Sequence, residues 1–196
     1  MKKVIIAALS VLMLSAFITN APVKYSVDAA SSTLTWKASK VTGSHTGNVS
    51  VSEGNLDYAD GELKGGEFTI DMTSITCTDI EDAETNGKLI GHLKSADFFS
   101  VADNATSTFK ITKVEKIKKN EFKVTGNLTI KGITNSLSFP ATVKEKNGNV
   151  EAAATIKVDR TKYDIKYGSG SFFDGLGDKM IYDEFELDLK LVAKSS

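Results

Sequence analysis

Apolar and polar residues alternate with a period of two along most of the chain. Successive side chains of a β-strand point to opposite faces, so this alternation predicts strands with one face toward a core and one toward water. From Tyr25 onward about eight such runs occur, rich in Val, Ile, Thr and Phe. The first three carry Leu34, Trp36 and Ala38, then Gly47, Val49 and Val51, then Phe68, Ile70 and Met72. Phe109 and Ile111 mark the fourth, and Phe122, Val124, Gly126, Leu128 and Ile130 the fifth. The sixth extends from Ile133 through Leu137 and Phe139 to Val143, the seventh from Val150 to Val158, and the last from Ile181 through Phe185 to Leu191. In that last run the intervening residues Tyr182, Glu184, Glu186, Asp188 and Lys190 are almost all charged, which predicts a sheet wetted on one face only.

The breaks between runs have their own logic. Ala59-Asp60-Gly61, Lys131-Gly132 and Lys146-Asn147-Gly148-Asn149 place Gly, Asn or Asp where a tight hairpin needs positive φ. Such short connections favour an up-and-down order, and a sheet that closes on itself over a Greek-key sandwich. Two segments fall outside the alternation. Asp79 to Ser95 sets Leu89, Ile90 and Leu93 at helical spacing, which predicts a short helix whose apolar stripe covers part of the barrel mouth or side. Arg160 to Lys179, with Gly168, Gly170, Gly175 and Gly177, reads as a long loop. Several inward positions are small, namely Ala38, Gly47, Gly126, Ala152 and Ala154. They either leave a hollow or make room for large neighbours opposite.

The first residues follow a different pattern. Lys2 and Lys3 precede an apolar run from Val4 to Ile18, the organisation of an export signal. The expected division is a leader over residues 1–21, cleaved after Ala21, and one domain over residues 22–196 that is periplasmic or secreted. An uncleaved anchor is the alternative. No later run approaches the roughly 20 apolar residues of a spanning helix. Cys77 is the single cysteine among 196 residues, so an internal disulfide is excluded and stability must come from the barrel. Removing Lys2 and Lys3 from the 24 basic residues leaves 22 against 25 acidic ones, with no basic stripe for nucleic acid.

Candidate chemistry is sparse. His45 shares parity with Gly47 and Val49, so it is expected to point inward at the barrel rim. His92 falls in the expected helix beside Lys94. Two histidines without a set of three or four spaced ligands predict no metal site, and no cofactor motif is present. Ser169 lacks the strand-to-helix context of a nucleophile elbow, so no catalytic set is assigned. The pairs Phe98-Phe99 and Phe172-Phe173 border loops expected at the barrel opening, where two adjacent rings can turn to one cavity.

The stretch from Asn86 to Phe99, Asn-Gly-Lys-Leu-Ile-Gly-His-Leu-Lys-Ser-Ala-Asp-Phe-Phe, followed by Ser107-Thr108-Phe109, resembles the signature of the YceI-like family of exported lipocalin-like barrels. Thr42 to Gly47, Val124 to Thr134 and Asp159 to Ile165 are similar to further parts of that pattern. The Gly-Ser-His-Thr-Gly form at residues 43 to 47 looks like the variant of one bacterial branch. The resemblance implies an all-β fold, an eight-stranded antiparallel lipocalin-like β-barrel with a short helix packed beside it. It also implies a non-enzymatic role, with a polyisoprenoid or similar long-chain lipid held inside. Such a ligand would meet Trp36, Phe68, Phe109, Phe122, Phe139 and Phe185, with Phe98, Phe99, Phe172 and Phe173 at the opening. Its head group would meet His45, His92, Lys94 or Arg160.

Two other readings compete. In one, the protein is an enzyme on such a lipid, with His45 or His92 as general base near a carboxylate. In the other, a filled barrel acts through its surface in adhesion or stress response. A homodimer is left open by the sequence, because a closed barrel has no free edges to count.

Overall fold

The computed structural model describes residues 21–195, so the expected leader, apart from Ala21, lies outside the described residues. Strands β1 (Val23–Val27), β2 (Thr33–Lys40), β3 (Gly43–Ala59) and β4 (Glu62–Asp71) precede helix α1 (Ala83–Lys94). Strands β5 (Thr106–Lys118), β6 (Glu121–Ile130), β7 (Ile133–Lys146), β8 (Asn149–Asp159) and β9 (Glu184–Ser195) follow it. From β2 to β9 each strand pairs antiparallel with the next, and β9 pairs back onto β2, so the sheet closes in up-and-down order.

The wall has eight staves although nine strands are present. Strand β1 pairs with the same two neighbours as β2, namely β3 and β9, and forms the other half of one stave. A 3-10 turn at Ala29–Ser31 interrupts that stave. The interruption is polar: Ser31 Oγ donates to Asp28 Oδ2 and Ser32 Oγ donates to the Asp28 carbonyl, so side chains compete with the ladder. The three sequence-predicted hairpins form as two-residue turns. Their φ values are +53° and +77° at Asp60-Gly61, +51° and +71° at Lys131-Gly132, and +53° and +78° at Asn147-Gly148. Positive φ at both central residues gives a twist that matches that of the flanking strands.

One stretch of wall is incomplete. The β7–β8 ladder ends at Thr142 and Ala153. Val143 N–H donates to Asn120 on the β6 side, so residues of opposite parity, including Pro140, face β8. Proline has no N–H to continue the ladder there, and the strands part.

Helix α1 starts at Ala83, later than the periodicity beginning at Asp79 suggests, because Asp82 caps it by accepting from Thr85 N–H at 2.8 Å. The residues before it run extended as a strap along the first half of β3. Thr76 N–H donates to Asn48 O and Thr78 N–H to Thr46 O, each at 2.9 Å. No side chain of α1 is fully buried, so the helix lies over the barrel without entering its core. The last strand begins at Glu184. Ile181, expected within it, instead makes single bridges to Lys40 and Ser169.

Candidate functional site

The end of the barrel that carries the Asp60-Gly61 and Asn147-Gly148 turns is packed shut. Leu56, Leu63, Phe122, Val143, Val150 and Ala193 are each no more than 4% exposed and fill it. Phe122, expected to meet a ligand, belongs to this plug and lines no cavity. The interior opens toward the end covered by α1.

Two cavities occupy that interior. The larger measures about 150 Å³. Strand β2 contributes Leu34, Trp36 and Ala38 from one face, and β9 contributes Phe185 and Leu187. Its roof comes from outside the wall, with Ile75 from the strap, Leu93 from α1, and Phe98 and Phe99 just after the helix. The smaller cavity, about 80 Å³, lies deeper, among Phe68, Phe139, Ala152 and Ala154. Leu34, Ile70 and Phe109 line both cavities and form the partition between them. The Phe109 ring meets that of Phe139 at 5.5 Å between centroids.

The small inward residues therefore divide by cause. Ala38, Ala152 and Ala154 leave space. Gly47 and Gly126 do not. A Cβ on Gly47 would collide with the Thr76 carbonyl and the Trp36 ring, and one on Gly126 with the ring of Phe109. These glycines admit the strap and the partition ring.

Polar residues touch the larger cavity at Ser107, Arg160 and Tyr182. Arg160 is only 4% exposed and its donors are committed to the protein. Its Nε donates to Tyr182 O, its Nη1 to Ile165 O and Tyr167 O, and its Nη2 to Ile181 O, at 2.8 to 3.1 Å. Asp183 Oδ1 lies 3.6 Å from Nη2. Burial pushes the Arg160 pKa below its usual value, partly offset by Asp183 and Asp159. Arg160 thus ties down the long loop instead of presenting a free fork to a head group.

The other expected polar contacts lie outside the cavities. Lys94 Nζ donates to Thr73 O at 2.7 Å and fastens α1 to the turn after β4. The His92 ring packs edge-on against Phe98 and Tyr167, with Nε2 3.2 Å from Asp97 Oδ2. Phe172 and Phe173, expected to turn inward, are about half exposed at 50% and 51%, and Lys166 Nζ sits over the Phe172 ring. Their loop is held by Arg160 and by Ile181, which leaves its tip outside the wall.

His45 also departs from expectation. Its register with β2 runs on unbroken, opposite Ala38, but its ring meets Asp79 of the strap instead of the cavity, with Nδ1 3.1 Å from Oδ2. Thr46 N–H and Cys77 Sγ–H both donate to Asp79 Oδ1, each at 3.1 Å. Burial alone would raise the Asp79 pKa, but the hydrogen bonds from Cys77, Thr46 and His45 hold it down to about 2. Burial, with Asp79 close by, pushes the Cys77 thiol up. Both histidines therefore have carboxylate partners, yet neither ring lines a cavity. Ile75 and Ile165, which alternation did not single out, do line the larger cavity, and so does Tyr182, expected on the wetted face, because all three reach it from irregular segments.

A closed up-and-down wall, an apolar hollow and a helix across one end define a lipocalin-like barrel. The chain belongs to the YceI-like family: the YceI-like domain matches residues 25–193. A UPF0312 protein of Azotobacter vinelandii is 40% identical over 50 residues, a match spanning 26% of each chain. The chain thus matches about a quarter of the length of this curated relative. Burkholderia cenocepacia BcnA shares the fold with a TM-score of 0.69 and 21% identity, over 86% of this chain and 99% of that one. A polyisoprenoid binding domain from Saccharophagus degradans, implicated in plant cell wall breakdown, superposes with a TM-score of 0.65. It shares 17% identity over 89% of this chain and 99% of that domain.

Proposed function

We propose that this is an exported binding protein, periplasmic or secreted, that holds a long-chain polyisoprenoid or related lipid, of the quinone or polyprenyl phosphate type, as carrier or reservoir. The observation that carries the reading is the pair of apolar cavities stacked in one closed barrel and separated only by side chains. Membership of the YceI-like family and the likeness to a polyisoprenoid binding domain support it.

The affinity would come from the tail, since each buried CH₂ contributes about 0.8 kcal/mol. The larger cavity alone is the size of one that holds a benzene-sized guest, about 150 Å³. A long tail therefore requires Phe109 to turn aside and join the two spaces. Trp36 is the single tryptophan of the chain and lines the larger cavity, so it reports occupancy directly. Titrating the purified protein with a long polyprenol should shift and saturate Trp36 emission. An unchanged spectrum across the titration, with no retained polyprenol after gel filtration, would refute interior binding.

A further inference from the structure

His45, Cys77 and Asp79 bring three kinds of donor atom to one point between β3 and the strap. The imidazole nitrogen, the thiol sulfur and a carboxylate oxygen all lie within 4.8 Å of one another. We propose that His45 Nδ1, Cys77 Sγ and Asp79 Oδ2 form a binding site for one borderline-soft divalent transition-metal ion of the zinc type.

The donor set selects the metal class. Calcium and magnesium favour all-oxygen shells, whereas thiolate with imidazole suits zinc and its neighbours. Tetrahedral ligand atoms at zinc bond lengths stand about 3.3 to 3.8 Å apart. The Nδ1 to Oδ2 edge here is 3.1 Å, and no two of the three donor atoms lie more than 4.8 Å apart. Small side-chain rotations bring the three to that spacing. One thiolate and one carboxylate neutralise the charge of a divalent ion. Three protein ligands leave the fourth position to water or an external ligand.

The site is also pre-arranged. Thr46 N–H holds Asp79 Oδ1 and keeps Oδ2 turned toward His45 Nδ1, the other ligand atom. Trp36 Nε1 donates to Thr76 O at 2.9 Å and Asn86 Nδ2 to Cys77 O at 3.0 Å, so the strap is fixed on either side of the thiol. Supporting hydrogen bonds of this kind orient metal ligands. The His45 and Asp79 side chains are 39% and 32% exposed, which gives an ion a route in, while Cys77 is buried behind them.

Binding balances simply. The Cys77 thiol proton is released to solvent, and the neutral imidazole binds through the Nδ1 lone pair as the tautomer that carries its single proton on Nε2. The ion would clamp the strap, and with it Ile75 in the cavity roof, onto β3.

Cobalt(II) added to the reduced, purified protein tests this. The expected result is a thiolate-to-cobalt charge-transfer band that saturates at one ion per chain and is displaced by zinc. Cys77→Ser should abolish the band. Because Cys77 is buried and that variant could misfold, His45→Ala, at a half-exposed position, carries the second test. It should weaken binding at least tenfold, while His92→Ala leaves it unchanged. A wild-type protein with no such band, or a His45→Ala variant with undiminished affinity, would overturn the proposal.

Discussion

A methyl group on Gly126 would stand 2.4 Å from Cζ of Phe109, so this glycine of β6 is the seat of the ring that separates the two cavities. Phe109→Ala should join the cavities and admit longer tails, at a stability cost of about 3–5 kcal/mol from the lost ring and the added void. Gly126→Ala should displace the ring and cost about 1–3 kcal/mol through overpacking. Urea denaturation gives both costs, and the chain length of lipid retained by Phe109→Ala tests the partition.

The legibility of the fold in the sequence follows from the same pair. Alternation placed Phe109 and Gly126 on the inner face, and Gly or Asn at the hairpins announced the order of the strands. Small size alone could not distinguish a glycine that leaves space from one already filled by a neighbouring ring. That depends on which strand lies alongside and in what register. The partner of His45 is illegible for a related reason. The strap that covers it comes from residues 75–79, about thirty positions away, and has no periodic signature. The first half of the stave that β1 shares with β2, Val23–Val27, is also illegible, since the first alternating run begins only at Leu34.

Arg160 should behave as a clamp on the long loop. Arg160→Met strips four backbone carbonyls of their donor and Asp183 of its ion-pair partner, and losses of a buried ionic partner run to about 3–5 kcal/mol. Limited proteolysis should then cut within residues 165–180 faster than in the wild type. If Arg160→Met leaves both stability and the cleavage rate unchanged, Arg160 is no clamp.

Acid should loosen the ends of the barrel. The Lys194 ammonium and the Ser31 hydroxyl hold the Asp28 carboxyl at about 2, against 3.8 ordinarily. Lys116 and Lys64 hold Glu62 at about 2, against 4.5. Both folded-state values are depressed, so their contributions are complete above about pH 4.5 and disappear as pH falls toward 2. The urea midpoint should decline across that window, with a smaller decline in Asp28→Asn. An identical decline in that variant would remove Asp28 from the account.

Helix α1 should open before the wall does. It buries no side chain fully, whereas Phe122 and Val124 of β6 are 1% and 2% exposed. Amides of residues 87–94 are therefore expected to exchange by local opening well ahead of those in β6. Equal protection in the two elements would show that the helix is bound as tightly as the core.

The most direct test of the central claim is the content of the barrel as the native host makes it. Protein purified from that host without detergent, extracted with organic solvent and analysed by mass spectrometry, should release a long-chain isoprenoid in near-stoichiometric amount. Phe109→Ala should release a longer or more abundant set of chains. Repeated recovery of protein without any long-chain lipid would contradict the account.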